Sequence, residues 1–176
     1  MKFFGHLATI TRHRHEVMKN CFKCGLYRRG MLHDLSKYSP TEFWRGVKYY
    51  QGGHRSPNAR ENELFGYSTA WLHHKGRNRH HFEYWTDYNI NTKRIEPVPM
   101  PREFLIEMFC DRVAASKVYK GKDYTDSSAL EYYTRRDERR FMHPETADKL
   151  EKLLKMLAEK GEKETFAYIR KNRKTI

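Results

Sequence analysis

The sequence predicts an all-α, single-domain protein, and three observations lead to that prediction. Apolar residues recur at intervals of three and four along several segments, and no segment follows the period of a strand for more than a few residues. Large aromatic side chains are abundant, with 10 Phe, 12 Tyr and 3 Trp. A chain of 176 residues can bury one substantial core. We expect one helical domain over 1–176, with a core over about 3–121 and C-terminal helices over about 127–171.

The first part of the chain predicts three helices. Gly25 can close the first helix, whose apolar stripe has helical spacing and consists of Phe3, Leu7, Ile10, His13, Val17 and Cys21. A short second helix is expected at Met31–Ser36. The run Ser39–Glu42 then combines an N-cap serine, a proline at the first helical position and a glutamate at the third. This pattern predicts a capping box and a helix from Pro40 to about Gln51.

The middle of the chain predicts a loop, a helix and a separate turn. Turn-forming residues fill Gly52–Asn58, which indicates a surface loop. A helix from about Glu61 to Lys75 is expected to follow. A break over Gly76–Asn78 separates it from a further turn or short helix over His80–Trp85.

Three prolines at Pro97, Pro99 and Pro101 predict a connector that is not helical in its middle. The helix that follows runs to about Gly121, and its inward stripe includes a carboxylate: Phe104, Met108, Asp111, Ala115 and Val118. A buried aspartate is costly unless it is paired or bound to a metal, so Asp111 is a candidate functional residue. Three more helices are expected at about Ser127–Met142, Thr146–Lys160 and Lys163–Lys171.

His33 and Asp34 stand side by side between apolar residues, and Lys37 follows three positions after the aspartate. Imidazole nitrogen and carboxylate oxygen together suit divalent manganese, iron, cobalt, nickel or zinc. Such a mixture also leaves positions open for water or a phosphate oxygen. Asp111 can close the site from a distant helix. The sequence therefore predicts a site for one or two divalent transition-metal ions.

His13, the His33-Asp34 doublet and Asp111 resemble the ordered H…HD…D signature of the HD-domain metal-dependent phosphohydrolases. The resemblance implies an HD-domain-like helical bundle with all four residues as metal ligands. It also implies that the doublet lies on a short helix. More narrowly, the chain from about His13 to Ile169 is similar to an uncharacterised family of short bacterial HD-like proteins. The motifs that carry this similarity are HDLSKYSPTEF, AWLHHKGRNRHHFEYW, EMFCDRVAASK and YTDSSALEYY.

Superfamily members with extra histidines between the doublet and the last aspartate hold two metals. The corresponding residues here are the pairs His73-His74 and His80-His81. The resemblance then implies that Asp34 bridges two ions, that His74 and His80 are ligands, and that His73 and His81 contact the ligands or the substrate. The close spacing of His74 and His80 departs from the pattern, because two-metal relatives spread their middle ligands more widely.

Four basic residues close in sequence to these ligands are candidates for binding a substrate phosphate: Lys37, Arg77, Arg112 and Lys117. The resemblance implies hydrolysis of a phosphoester by a metal-activated water, with catalytic roles for Asp34, Lys37 and Asp111. The expected substrate is a small phosphorylated compound, with a nucleotide favoured. An HD-type di-iron oxygenase and a catalytically silent nucleotide- or RNA-binding module remain alternatives.

The composition indicates the class of partner and the cellular compartment that we expect. Lys plus Arg number 35 against 22 Asp plus Glu, a formal charge of +13, which favours anionic partners. Nucleic acid stays open but is not favoured, because no alternating basic and aromatic run could follow a single strand. No apolar run approaches the roughly 18 residues of a membrane helix. Three cysteines without a cleavable leader predict a reducing, cytoplasmic compartment. The oligomeric state is left open, a dimer included.

Overall fold

The structure is a computed structural model that describes all 176 residues. It is 71% helical, with eight α-helices and one small two-stranded sheet, so the predicted helical single-domain fold is confirmed and the small sheet is the one departure from an all-α chain. The helices are α1 Lys2–Lys23, α2 Tyr27–Leu32, α3 Pro40–Lys48, α4 Pro57–Phe65, α5 Thr69–Arg77, α6 Arg102–Lys120, α7 Ser128–Arg135 and α8 Pro144–Asn172. The strands are β1 Thr86–Asn89 and β2 Arg94–Pro97. No helix combines the length and apolar character needed to cross a membrane.

The core forms where α1 and α8 pack around α6. The most deeply buried apolar residues come from these three helices: Val17, Cys21, Leu105, Ile106, Phe109, Leu150, Leu154 and Leu157. Helix α6 is buried on nearly every side, including the charged Glu107, so it forms the centre of the core. Side chains on α1 and α6 therefore meet deep inside the molecule.

The predicted helix over Met31–Ser36 is wrong. Helix α2 ends at Leu32, His33 is extended, and Asp34 adopts a left-handed conformation with φ of 53° before a short 3-10 turn at Leu35–Tyr38. Aspartate is one of the few residues that enter this region readily. In a helix, neighbouring residues do not face each other, whereas this turn brings His33 Nε2 to 3.3 Å from Asp34 Oδ2. The departure from helical geometry thus directs both side chains to one place.

The capping box predicted at Ser39–Glu42 is also wrong, although Pro40 does occupy the start of α3. The Ser39 side chain makes no capping hydrogen bond, and Glu42 is buried. Its carboxylate contacts two histidines of α5 instead of the backbone at the start of its own helix. Helix α3 ends at Lys48, three residues before the predicted end.

The single helix predicted over about Glu61–Lys75 is in fact two helices. Helix α4 ends at Gly66, which has φ of 79°, and α5 begins after Ser68, whose hydroxyl accepts a hydrogen bond from the backbone N–H of Trp71. Both Ser68 and Thr69 donate hydrogen bonds to the buried carboxylate of Glu61. Gly76 lies inside α5, so the predicted break comes only at Asn78.

The β-hairpin was not predicted. Strands β1 and β2 pair antiparallel, from Thr86 opposite Pro97 to Asn89 opposite Arg94. Both strands have four residues and leave large apolar side chains exposed, so no alternating pattern marks them in the sequence. The prolines after β2 lead into α6 as expected.

The C-terminal helices differ from prediction mainly at their ends. Helix α7 stops at Arg135, and a 3-10 turn over Glu138–Phe141 replaces its predicted last turns. The two predicted final helices form one element, α8, which Gly161 interrupts with φ of 77° and ψ of 173°. A residue without a Cβ is suited to this backbone conformation.

Candidate metal centre

One group of donor atoms gathers around Oδ2 of Asp34. His13 comes from the middle of α1, His33 and Asp34 from the turn after α2, and Asp111 from α6. His13 Nε2 lies 3.5 Å from Asp34 Oδ2 and 3.0 Å from Asp111 Oδ1. His33 Nε2 lies 3.3 Å and 3.7 Å from the same two oxygens. We call His13, His33, Asp34 and Asp111 the first donor group.

A second group gathers around the other oxygen of Asp34. His74 Nε2, from α5, lies 3.3 Å from Asp34 Oδ1, and His80 Nε2 lies 3.4 Å from it. His81 completes this second donor group of Asp34, His74, His80 and His81. In each group one potential ligand atom per residue lies within 4.8 Å of all the others. Asp34 belongs to both groups through different oxygens, which suits a carboxylate that bridges two cations.

The inward-facing atoms of the two groups are buried and have no hydrogen-bond partner. They are Nε2 of His13, His33, His74, His80 and His81, together with Oδ1 of Asp34, whereas Oδ2 of Asp34 is paired with the Lys37 ammonium. A single unsatisfied buried polar atom already costs roughly 1 to 3 kcal/mol, so six in one place call for a common partner. The donor set is imidazole nitrogen and carboxylate oxygen. These residues therefore fit a divalent transition metal, and the clusters could hold one.

Two buried glutamates hold the histidine rings from behind. Glu107 Oε1 accepts a hydrogen bond from Nδ1 of His33 at 2.9 Å, and Nδ1 of His80 lies 3.4 Å from the same oxygen. Glu42 accepts one from Nδ1 of His74 at 2.7 Å. A carboxylate can only accept, so these contacts favour the tautomer whose Nε2 is free to bind a cation.

Neither glutamate was predicted from the sequence to belong to the centre. Glu107 stands four residues before Asp111 on α6, a spacing that places both on one face of the helix and could have identified it. Glu42 gave no such signal. Its local motif was fully explained as a helix cap, and its partners are more than thirty residues away in sequence.

The pKa values of the titratable groups in the centre shift in the directions expected where several carboxylates lie close together. Burial alone would raise the pKa of Asp34, but His33, Lys37 and His74 hold it well below its usual range. Burial alone would lower the pKa of His33, but Asp34, Asp111 and Glu107 raise it well above its usual range. The pKa of His74 is raised in the same way, against burial, by Asp34 and Glu42. In the metal-free protein, protons on these imidazoles therefore compensate part of the negative charge.

His80 and His81 behave differently from His33 and His74. Burial, followed by the neighbouring charge of His33, lowers the pKa of His80. Burial, followed by His80 and His74, lowers the pKa of His81 well below its usual range. Both rings are thus neutral near pH 7, the state in which an imidazole nitrogen can bind a metal.

Lys37 reaches the centre, because its Nζ lies 2.6 Å from Asp34 Oδ2. Burial alone would lower the pKa of Lys37, but Asp34 and Asp111 raise it above its usual value. The ammonium group is therefore a fixed positive charge at the edge of the first donor group.

The other residues predicted to bind substrate are engaged elsewhere. His73 donates from Nδ1 to Glu42 at 2.7 Å and accepts from Nε of Arg77, also at 2.7 Å. Neither residue joins a donor group, and the Arg77 side chain at the end of α5 is exposed. Arg112 pairs with Glu138 at 2.6 Å, and Lys117 pairs with Glu162 of α8. The structure thus brings Lys37 to the centre, leaves His73 and Arg77 behind the second donor group, and directs Arg112 and Lys117 to other partners.

His81 is the middle histidine whose position differs most from expectation. The resemblance implied an outer role for it, but its ring lies among the ligand atoms of the second donor group. Its centroid is 4.2 Å from that of His80 and 4.8 Å from that of His74. The second group accordingly offers three imidazoles and one carboxylate.

Comparison with known proteins identifies a family for the chain but no function. No curated protein and no solved structure matches the chain. The model of a family described as "Family of unknown function (DUF5662)" matches residues 2–156, a range that includes both donor groups and both supporting glutamates. The chain belongs to this family of unknown function, DUF5662.

Proposed function

We propose that this protein is a divalent-metal-dependent phosphohydrolase of the HD kind that acts on a small phosphorylated compound, with a nucleotide favoured. One observation carries the proposal: five buried imidazole nitrogens and Oδ1 of Asp34 face one another without hydrogen-bond partners. An ordinary structural network would satisfy its buried polar atoms internally. In this network the atoms without partners all face a common centre.

The division of the atoms around Asp34 supports a two-ion centre. His13, His33 and Asp111 would hold one ion with Oδ2 of Asp34, and His74, His80 and His81 would hold the other with Oδ1. Mixed nitrogen and oxygen donors suit manganese, iron, cobalt, nickel or zinc. Such ions supply Lewis-acid activation of water and neutralise phosphate oxygens when bound.

The protein's own residues supply orientation and charge. Glu42 and Glu107 hold the imidazoles with their Nε2 atoms turned inwards. Lys37 carries a permanent positive charge at the edge of the first donor group. Once metal ions compensate the negative charge of Asp34, the Lys37 ammonium is free to pair with a phosphate oxygen of the substrate. Asp111 is the most exposed member of its group, with 16% of its side chain accessible, which marks the side from which substrate would enter.

The enclosure of the centre favours a small substrate over long nucleic acid. Its donors lie between α1, α5 and α6 and are nearly all buried, so a reacting phosphate must enter a confined space. The net charge of +13 then serves to attract an anionic substrate towards the protein. Such steering weakens as salt concentration rises.

A second candidate, an HD-type di-iron oxygenase, is favoured by one feature. The second donor group contains three histidines and shares its only carboxylate with the first, a nitrogen-rich set that suits iron. The two functions differ in the metal that the protein retains and in whether dioxygen is consumed.

The test combines elemental analysis of the purified protein with a substrate screen. Phosphate release would be measured from nucleotides, sugar phosphates and short oligonucleotides, with manganese, cobalt, nickel or iron added. Asp34→Asn should abolish release, and Lys117→Met, which alters a residue paired with Glu162, is the matched control and should retain it. Release from oligonucleotides alone, or dioxygen consumption without any phosphate release, would refute the proposal.

A further inference from the structure

Glu107 contacts one histidine from each donor group through a single oxygen. Its Oε1 lies 2.9 Å from Nδ1 of His33, in the first group, and 3.4 Å from Nδ1 of His80, in the second. The two rings lie against each other, with centroids 4.4 Å apart. No other side chain outside the donor groups makes this pair of contacts. The orientation of one ring is thereby linked to the orientation of the other.

A shared acceptor constrains both rings at once. A carboxylate oxygen has two lone pairs and can receive an N–H from each histidine. When both rings are neutral and both Nδ1 atoms donate to Glu107, both Nε2 atoms are unprotonated and turned towards Asp34. A ring that rotated or changed tautomer would lose its contact with Glu107 and alter the charge that the other ring experiences.

Glu107 is itself held in position by α2 and by its own helix. Arg29 lies 3.3 Å from Oε2, on the side of the carboxylate away from the histidines, and the Arg29 guanidinium also lies over the ring of Phe104 at 3.7 Å. Only 5% of Glu107 is exposed. One oxygen is thus anchored by a cation, and the other remains for the two histidines.

Glu42 provides an internal comparison. It contacts His74, which belongs to the second donor group, and His73, which belongs to neither. It makes no contact with the first group. Glu42 and Glu107 are both buried carboxylates behind histidines, but only Glu107 links the two groups.

We propose that Glu107 is a positioning residue shared by the two cation sites, so that occupation of one site orders the ligands of the other. This inference rests on the proposed metal centre. An ion held by one donor group would fix the imidazole of that group on the shared Oε1 of Glu107. The lone pair left on that oxygen would then orient the histidine of the other group, which would make the binding of two ions cooperative.

The test is a titration of metal-free full-length protein with Zn²⁺ alone. Binding is measured by calorimetry and by competition with a chromophoric chelator. Wild type should bind two ions with positive cooperativity. Both Glu107→Gln and Glu107→Ala should weaken both sites by roughly 10- to 100-fold and remove the cooperativity. Glu42→Gln should weaken one site only. Arg29→Met, which leaves the glutamate in place but removes its anchor, should weaken both sites to a smaller extent.

A second readout separates positioning from general damage to the fold. Long-range ¹H–¹⁵N spectra of the zinc-loaded protein should report His33 and His80 as Nδ1–H tautomers in wild type. In Glu107→Ala, both signals should change, while those of His13 stay the same. Circular dichroism would establish that each variant is folded.

Zn²⁺ binding distinguishes the metal centre from the shared role of Glu107. Wild type that bound no Zn²⁺ would overturn the metal centre together with this inference. Wild type that bound two ions, with Glu107 variants that lost one site only or matched Glu42→Gln, would overturn the shared role and leave the metal centre standing. Independent binding of the two ions in wild type would have the same effect.

Discussion

Lys37 places its ammonium nitrogen 2.6 Å from Oδ2 of Asp34, the oxygen that also faces His13 and His33. In the metal-free protein this lysine occupies part of the space and supplies part of the charge that a cation would supply. Lys37 and a metal ion therefore compete for the same oxygen, although both would help to bind a phosphate.

From this competition we expect opposite effects on metal affinity and on activity in Lys37→Met. Loss of the ammonium should tighten metal binding at the first donor group, because Asp34 is no longer compensated internally. Turnover of a phosphorylated substrate, measured as kcat/KM, should fall by about a hundredfold, because a charge aimed at the phosphate is lost. Metal titration and phosphate release measure the two effects separately. Weaker metal binding in this variant would contradict the interpretation.

Substitutions in the two donor groups should lower the number of bound ions by one or by two, depending on the residue replaced. Asp34→Asn should remove both ions, Asp111→Asn the ion of the first group, and His74→Gln the ion of the second. Asparagine is the informative replacement at position 34, since it tolerates the left-handed backbone there, whereas alanine would add strain of about 1 kcal/mol. Elemental analysis of dialysed protein gives the stoichiometry. Equal metal content in all four proteins would exclude this division of ligands.

Metal binding should release protons, and its affinity should fall as pH falls. Nearby carboxylates raise the pKa of His33 and of His74 in the metal-free protein, so a cation must displace protons from these rings. Calorimetry in buffers with different ionisation enthalpies measures the number of protons released. A heat of binding that did not depend on the buffer would show that these rings are already neutral.

His6 should make folding stability depend on pH independently of any metal. Burial, with a smaller contribution from Lys37, lowers the pKa of His6 from 6.5 to about 4. The unfolded chain therefore takes up the proton first, and the stability present above pH 6.5 is lost as pH falls towards 4. In His6→Asn this loss should be smaller. Urea denaturation of both proteins at pH 7.5 and pH 5, with chelator present, checks it. An equal loss of unfolding free energy in the two proteins would contradict the assignment of this pH dependence to His6.

The sequence predicted the outline of the centre better than its details. The order of His13, the doublet and Asp111 along amphipathic segments was enough to bring these residues together, because helical spacing alone places His13 and Asp111 on inward faces. That these residues bind a metal stays a prediction.

The details escaped because they depend on contacts between distant segments. Glu42 fits a helix cap locally and reveals its contact with His74 only once α3 and α5 are packed together. The left-handed turn at Asp34 could not be distinguished from a helix, since its flanking residues are apolar at helical spacing. The hairpin at Thr86–Pro97 lacks a buried face that would mark its strands.

The approach of His13 to Asp111, 3.0 Å between Nε2 and Oδ1, has a consequence for folding kinetics. The two residues are separated by about a hundred positions of chain, and an unfolded chain pays a large entropic cost to close such a loop. The donor groups therefore do not exist until α1 and α6 have packed, and we expect them to be completed after the transition state for folding. Ions should accordingly slow unfolding and leave the folding rate unchanged.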